Sequence, residues 1–347
     1  MVATMSAPTI APAVPARWSL RRAGGVGALL ALVVGVMVTA FAWPAVSTSP
    51  RDVPVAVVGP QAAVQQVAGA LEQAEPGAIQ VVPAVDEADA RAAIESREVA
   101  GAIVLGQQGV TVLTAPGGGQ AVATLLAGVG DALGAQLLTA QGVAVTPPAT
   151  TEVVVPGGVG DGYGVGFPMM TLPVVMGSLL LGLVASLAVR GAAARLTALL
   201  VGGVVAGAVV TLVAGSWLEI VPATWGVAGV LGLGVVAVSG AVAGAHALLG
   251  RLGVALVAPA IFLLGNPLSA AATAPELLPA GWASLGQALP PGALVQALRS
   301  VAFFDGSASA FPLTVLGIWA GAGLVLVATT LAGERRTRLV PTSVVAG

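Results

Sequence analysis

The sequence contains no cysteine and no lysine, and only 8% of its 347 residues are charged. Without cysteine the chain can form neither a disulfide, a thiolate nucleophile nor a cysteine-ligated metal site. All 13 basic residues are arginine. A phosphate-binding loop of the GxxxxGK[ST] type needs a lysine to reach the terminal phosphates, so this chain does not hydrolyse nucleotides by that route. A net charge of -2 with no long basic tract also excludes nucleic acid as a partner.

Apolar residues take the place of the missing charges, at 57% of the sequence with a mean hydropathy of +0.98. Soluble domains carry about 25% charged residues, so this composition indicates an integral membrane protein. A spanning helix needs about 20 mostly apolar residues. Five segments of that length contain no Asp, Glu or Arg: Gly24–Val46, Phe167–Val189, Leu196–Trp217, Trp225–Leu249 and Phe311–Ala332. A sixth apolar segment begins at Leu252 but soon meets Gly265, Asn266 and Pro267, and taken alone it would suit a re-entrant segment.

Arginines flank the apolar segments and predict the topology, because positively charged flanks stay in the cytoplasm. These arginines are Arg17, Arg21, Arg22, Arg190, Arg195, Arg251, Arg335, Arg336 and Arg338. They fall on one side only if the Leu252 segment crosses completely. The sequence therefore predicts a polytopic helical protein of the cell (plasma) membrane with six transmembrane helices and both termini cytoplasmic. A cleaved signal peptide is the alternative for the first segment, although its apolar run exceeds the usual 7–15 residues.

This topology divides the chain into five regions. We expect a cytoplasmic tail at 1–23, an anchor helix at 24–46, and an extracytoplasmic α/β domain with its linker at 47–166. A five-helix transmembrane bundle follows at 167–332, with short external helices at 275–303, and a second cytoplasmic tail occupies 333–347.

Alternating and helical periodicities in the second region predict a small sheet with helices packed on it. Strands are expected at Val53–Val58, Ala78–Val82, Val99–Leu105 and Gly109–Ala115, the last two forming a hairpin around Gln107 and Gln108. Helices are expected at Gln61–Ala74, after Asp86, and at Gln120–Ala140. The segment Thr146–Pro168 is rich in proline and glycine and predicts a flexible linker. A dinucleotide-binding loop is the weaker interpretation, because these glycines do not join a strand to a helix.

Three patterns suggest chemistry and each has a plainer interpretation. A cluster of charges lies between Asp86 and Glu98. The i,i+4 spacing of Glu87, Arg91 and Glu95 within it favours a solvated helix face; the alternative is a catalytic or metal-binding role. His246 fits an interfacial position, against a proton or metal role with no second ligand in sight. Glycine pairs with GxxxG spacing favour close helix packing, against a specific dimer face. These pairs are Gly203/Gly207, Gly240/Gly244 and Gly317/Gly321.

The stretch PELLPAGWASLGQALPPGALVQALRS, from Pro275 to Ser300, is too short and too broken to span a membrane. Its apolar positions predict two amphipathic helices separated by a proline pair, with Gln296, Arg299 and Ser300 opposite the second apolar face. Such helices would lie in the outer interface or dip toward the spans, unless the stretch merely caps the bundle. The candidate residues of an external gate are Trp282, Leu285, Leu289, Pro290, Pro291, Leu294, Leu298 and Arg299.

An anchor helix, an α/β domain and a five-helix bundle with short external helices resemble the permeases of type-2 ABC exporters, in the branch that includes phage infection protein and related actinobacterial membrane proteins. The resemblance is carried by VPVAVVG, DEADARAAIESREVAGAIVL, GDGYGVGFPMMTLPVVMGSLLLG and LPPGALVQALRSVAFFDG. It covers most of the chain as patterned segments without a catalytic signature.

The resemblance implies export of a hydrophobic or amphipathic molecule by a homo- or heterodimer of permeases, energised by a separate cytosolic ATPase, with the external helices closing the outer end of the path. Separately, no residue pattern in the sequence favours a catalytic role, so we expect no enzyme activity and no cofactor or metal. One departure is that the cytosolic segment on which such an ATPase docks is reduced here to RGAAAR, Arg190–Arg195. The alternative is an envelope scaffold or adhesion protein whose external domain binds a wall component or another protein.

Overall fold

The computed structural model describes residues 20–106, 109–140 and 149–338, and the side chains of 24–106, 109–136 and 149–331. Five of its helices are long and apolar enough to cross a membrane. They confirm the prediction of a polytopic helical membrane protein. The outer parts of the two predicted tails, and the Gln107–Gln108 turn, lie outside the described residues.

The long helices run antiparallel between two ends of a bundle. They are α1 (Leu20–Val46), α5 (Gly166–Leu187), α6 (Ala192–Thr211, continued by a π-helical turn, Leu212–Trp217), α7 (Trp225–Leu249) and α11 (Ala310–Arg338). The helix α7 lies at the centre, since it is the long helix with most of its length buried. A sheet described below lies against one end of the bundle, which we call the sheet end; the opposite end is the far end.

Glycines set the closest approaches to α7. A Cβ at Gly203 or Gly207 would lie within 3.0 Å of the α7 backbone, and one at Gly323 would lie 2.3 Å from Gly240 C. Close packing is thus confirmed for the first two GxxxG pairs, because Gly244 also faces Gly323. The pair Gly317/Gly321 differs: a Cβ at either position would meet nothing within 4 Å.

The described residues contain no sixth helix long enough to span. The segment predicted to span from Leu252 is a 10-residue helix, α8 (Arg251–Ala260), continued by a π-helical turn, Ile261–Gly265. At 1.5 Å per residue this segment covers roughly 22 Å, short of the ~30 Å of a hydrocarbon core. It starts at the far end, where Gly253 packs against Ala245 of α7. It is helical for only part of the bundle length because Pro267 lacks an N–H and the chain breaks into short turns.

A five-stranded sheet lies between α1 and α5 in the sequence. Its strands are β1 (Val53–Val58), β2 (Ile79–Pro83), β3 (Gly101–Gly106), β4 (Gly109–Thr114) and β5 (Ala149–Val153), in the order β2-β1-β3-β4-β5. All neighbouring strands are parallel except β3 and β4. The helices α2 (Gln61–Ala74), α3 (Glu87–Glu95) and α4 (Gln120–Ala140) connect them. We call residues 53–153 the sheet domain.

The described part of the linker predicted at Thr146–Pro168, from Ala149 on, is neither unstructured nor loosely placed. Its first described residues form β5, which pairs with β4. The following glycines approach the loop after α6 so closely that a Cβ at Gly158 or Gly160 would lie 2.1 or 2.0 Å from a carbonyl oxygen of that loop. The prediction of a flexible linker is therefore wrong: glycine is needed here because a side chain would not fit. We call residues 156–165 the glycine connector.

Candidate functional site

The proline-rich stretch forms a helical hairpin that enters the bundle from the sheet end. Its arms are α9 (Trp282–Ala288) and α10 (Pro290–Phe303). The indole Nε1–H of Trp319 donates to the carbonyl of Ala288, at 2.9 Å, close to the turn between the arms. Trp319 lies roughly 14 Å along α11 from Ala310, by the helical rise. The hairpin turn therefore reaches about halfway into the bundle.

Helix α10 then returns to the sheet end along α7. A Cβ at Gly234 would lie 2.5 Å from Leu294, and one at Gly226 would lie 2.9 Å from Val301. The two glycines are about 12 Å apart along α7. These contacts favour the dipping arrangement over a hairpin that lies flat in the interface. Irregular backbone at membrane depth has to be buried in protein, and the α9–α10 turn meets that condition with both prolines buried.

The proline pair fixes where α10 starts. Pro290 and Pro291 occupy its first turn, where a missing N–H costs no helical hydrogen bond. Leu289 before them is extended, at φ -91° and ψ 149°, as a following proline requires. The apolar face predicted for α10 is present: Leu294 and Leu298 are fully buried in the main core cluster with residues of α7.

The polar face of α10 is buried as well. Arg299 and Ser300 are 3% and 0% exposed. The second face of α10 packs against the sheet domain, and the amphipathic pattern alone could not reveal this contact. Both faces of the helix are therefore covered by protein.

Arg97 joins the sheet domain to α10. Its guanidinium donates to Ser300 Oγ at 2.6 Å and to Gln296 Oε1 at 2.8 Å, and its Cζ lies 5.0 Å from the centre of the Phe304 ring. The backbone of Arg97 has φ +64°, a left-handed conformation that costs a residue with a Cβ about 1 kcal/mol or more. Burial lowers the pKa of Arg97, and the charge of Glu276 opposes that shift.

Arg299 holds the loop that precedes the hairpin. Its guanidinium donates to the carbonyls of Ala270, Ala271 and Thr273, and its Cζ lies 5.2 Å from the centre of the Phe167 ring. Burial lowers the pKa of this sheet-end guanidinium to about 10; the charge of Arg97 adds to this shift and the charge of Glu276 opposes it. In the described part of the chain all ion pairs belong to Arg91, so Arg97 and Arg299 have no carboxylate partner there.

The core of the sheet domain includes residues from the hairpin region. Ala274 and Leu277 belong to one of its apolar clusters, and Phe304 belongs to the other. The Arg51 guanidinium also donates to the carbonyl of Leu278, at 2.7 Å. The sheet domain and the residues on either side of the hairpin therefore share one packed interior.

A cavity of about 430 Å³ lies where the sheet domain, the glycine connector and α10 meet. Arg299, Phe303 and Phe167 line it together with the connector glycines. The Asp161 carboxylate also lines it, but its two oxygens accept the N–H groups of Gly166 and Phe167, at 2.7 and 2.8 Å. Asp161 therefore caps the N-terminus of α5, where the helix dipole favours its negative charge, and Arg299 supplies the positive charge at the wall.

The predicted gate residues divide into two groups. Pro290, Pro291, Leu294, Leu298 and Arg299 are buried within α10, and the structure brings them together between α7 and the sheet domain. Trp282, Leu285 and Leu289 lie on or just after α9 and are not fully buried. Trp282 packs edge-on against Trp43 near the end of α1, with ring centroids 5.3 Å apart.

The charged cluster around α3 is mostly a solvated helix face. Asp86 caps α3 by accepting the Asp89 N–H, and Arg91 pairs with Glu87 as predicted. The expected partner Glu95 is replaced by Glu152 of β5. The hydrogen bonds that Arg91 donates to Glu152 and, to a smaller extent, to Glu87 raise the pKa of Arg91. Sequence reasoning missed the contact of Arg97 with α10. The feature that could have indicated it is an arginine just after α3 and next to a buried strand.

His246 lies near the far end of the bundle. This residue lies half-buried in the last turn of α7, and its Nδ1 has no hydrogen-bond partner in the described residues. No group of three or more His, Asp or Glu side chains in the described ranges could hold a metal ion. The interfacial interpretation of His246 fits this position.

Comparisons with family models, curated proteins and solved structures give no match for this chain. The class of protein therefore follows from its own architecture. It is a membrane protein whose helical bundle encloses a helical hairpin at the end that carries the sheet domain.

Proposed function

We propose that this chain is the membrane permease subunit of an ABC-type exporter that moves a hydrophobic or amphipathic molecule, energised by a separate cytosolic ATPase. The hairpin carries this proposal. It plugs the sheet end of the bundle to about half its depth, and two short helices that do not span are more easily displaced than a full span. In this function the hairpin is the outer gate, and the sheet domain controls its position through Arg97.

The proposal includes an orientation. The sheet domain faces the extracytoplasmic side of the cell membrane, the chain crosses six times, and both termini are cytoplasmic. The Leu252 segment then completes its crossing as a short helix followed by irregular chain. That chain continues to Leu278, which contacts Arg51 beside the sheet. The arginines at 190, 195 and 251 lie at the far end, as the positive-inside rule requires.

Energy from a partner fits the composition of the spans. Within the apolar segments of the five long helices, the ionisable side chains are Arg195 and His246, and both lie near the far end. Ion-coupled transporters use such groups within their spans. A permease of this class would work as a dimer, and the exposed Gly317/Gly321 face of α11 is one surface available for a second copy.

The orientation can be tested directly, because the chain has no cysteine. Single cysteines at Ser307, beside the hairpin, and at Ala193, exposed in the first turn of α6, would be treated with a membrane-impermeant maleimide on intact cells. We expect labelling of Ser307→Cys only, with Ala193→Cys reacting after permeabilisation. Labelling of Ala193→Cys alone on intact cells would refute the outer gate.

The transport role has a second test. Affinity purification of the tagged chain should recover an ATPase with a phosphate-binding loop, and deletion of the gene should change efflux of an amphipathic compound. Absence of any such ATPase together with unchanged efflux would contradict the exporter. The scaffold alternative needs a sheet domain that works without the bundle. The shared core with Ala274, Leu277 and Phe304 disfavours it.

A further inference from the structure

We propose that the cavity beside Arg299 binds the phosphate of an anionic lipid headgroup. The cavity, of about 430 Å³, has the size of a small-molecule site. Arg299 supplies a buried positive charge at its wall without a carboxylate partner among the described residues. Leaving such a charge unpaired is costly, and an anion in the cavity would offset that cost.

The guanidinium has donors left for a ligand. Its hydrogen bonds to Ala270, Ala271 and Thr273 use three of the five N–H groups of an arginine. These bonds also fix the guanidinium in place, so binding an anion would cost little side-chain entropy. Arg97, whose charge acts on Arg299, adds to the positive potential from the sheet-domain side, and the charge of Glu276 offsets part of it.

The rest of the wall suits an amphipathic molecule. The Phe167 and Phe303 rings, 6.2 Å apart between centroids, provide apolar surface next to the charge. Phe167 and Pro168 are also the second and third residues of α5, a span that begins at Gly166. The cavity therefore lies at the depth where a span leaves the hydrocarbon, which is the depth of lipid phosphates. This position favours a lipid headgroup over a soluble anion.

If the chain is the exporter proposed above, this site would receive the polar end of its substrate; only that role rests on the proposed function. Binding itself requires no ATPase and no transport. If the chain binds the lipid but has no ATPase partner, the exporter proposal fails and the lipid site stands. If the chain has an ATPase partner but binds no lipid, the lipid site fails and the exporter proposal stands.

The test uses the full chain purified in a neutral detergent, with dioctanoyl phosphatidylglycerol, dioctanoyl phosphatidylcholine and inorganic phosphate as probes. Native mass spectrometry counts bound lipid, and tryptophan fluorescence measures the shift in Tm. We expect phosphatidylglycerol to bind and raise Tm, and Arg299→Gln to weaken binding about tenfold or more, as expected for a lost charge-assisted hydrogen bond.

A second variant separates binding from folding. Gly157 lines the cavity, and a Cβ there would meet nothing within 4 Å, so Gly157→Leu fills the cavity while leaving Arg299 intact. It should also weaken phosphatidylglycerol binding about tenfold. The matched control Gly69→Leu adds the same side chain in open space on α2 and should bind like the parent chain.

Three results decide the proposal. Competition by inorganic phosphate would support the anion site but identify free phosphate as its occupant, and no competition would support the lipid. Equal binding of phosphatidylcholine and phosphatidylglycerol would overturn the proposal. Unchanged phosphatidylglycerol binding by Gly157→Leu would overturn it too, because the lipid would then occupy another surface.

Discussion

Arg97→Gln should loosen the sheet domain from the hairpin. The substitution removes the hydrogen bonds to Ser300 and Gln296, at 2.6 and 2.8 Å, and leaves two buried polar groups without their donor. Bonds from a charged donor are worth about 1.5–3 kcal/mol each, and relief of the buried guanidinium returns part of that energy. A net loss of about 2 kcal/mol is therefore expected. It would raise the population of the undocked state roughly 30-fold.

A thiol placed at the contact measures this opening. Ala115 is 6% exposed and belongs to the same apolar cluster as Phe304, so we expect a cysteine there to react faster when the sheet domain separates from the hairpin region. The chain has no other cysteine. In the full chain carrying Ala115→Cys, the labelling rate under native conditions follows the open population when opening and closing are fast. Arg97→Gln should raise that rate roughly 30-fold.

The control is Arg91→Gln, which removes an exposed arginine from the neighbouring helix α3. Exposed ion pairs contribute about 0–1 kcal/mol, so this variant should change the labelling rate only a few-fold. Equal rates for the parent and Arg97→Gln, with tryptophan fluorescence showing both bundles folded, would show that Arg97 does not hold the two parts together.

Two further predictions concern the bundle, with Tm by tryptophan fluorescence as the measurement. Gly323→Ala places a Cβ 2.3 Å from the α7 backbone and should lower Tm by several degrees. The control Gly321→Ala adds its Cβ in open space and should leave Tm unchanged or raise it. Equal effects of the two substitutions would contradict the α7–α11 contact. Asp161→Ala removes the cap of α5 and should cost about 1 kcal/mol. The control Asp131→Ala, on the exposed face of α4, should cost little, and a larger loss there than for Asp161→Ala would contradict the cap.

Hydropathy and periodicity predicted the regular elements well. The strand Val53–Val58 and the helices Gln61–Ala74 and Gln120–Ala140 have the predicted bounds in the structure. These elements bury one face in their own neighbourhood, so the local pattern of apolar residues carries the information. The five long spans were predictable for the same reason, since each supplies all of its own backbone hydrogen bonds.

Strand β5 and the short Leu252 segment were beyond such reasoning. Strand β5 is mostly exposed and polar, and it forms only because β4 offers an unpaired edge. The segment from Leu252 ends early because Pro267 starts a chain of turns that are buried by α10 and the sheet domain. Its length is therefore decided by contacts that are distant in sequence and leave no periodic signal.

The candidate site shows the same limit more strongly. The sequence predicts an apolar face on α10 and places Arg299 opposite it, and that geometry is correct. It gives no sign that the opposite face is buried, because the partner of Arg97 lies about 200 residues away along the chain. An amphipathic helix between a bundle and a second protein surface has the same pattern as one between a bundle and water.

The arrangement of these contacts bears on how a gate at this end would work. The sheet domain touches α10 through Arg97, and α10 touches the central helix α7 through Leu294 and Leu298. The glycine connector leaves almost no space between itself and the loop after α6, so the sheet domain cannot turn without moving that loop or breaking the contact. A packed chain of this kind has few intermediate positions, because interiors at native density do not deform smoothly. Opening of the hairpin should therefore be a two-state event in which the sheet domain, the loop after α6 and α10 move together. A ligand in the cavity between them would bias that equilibrium by its preference for one state.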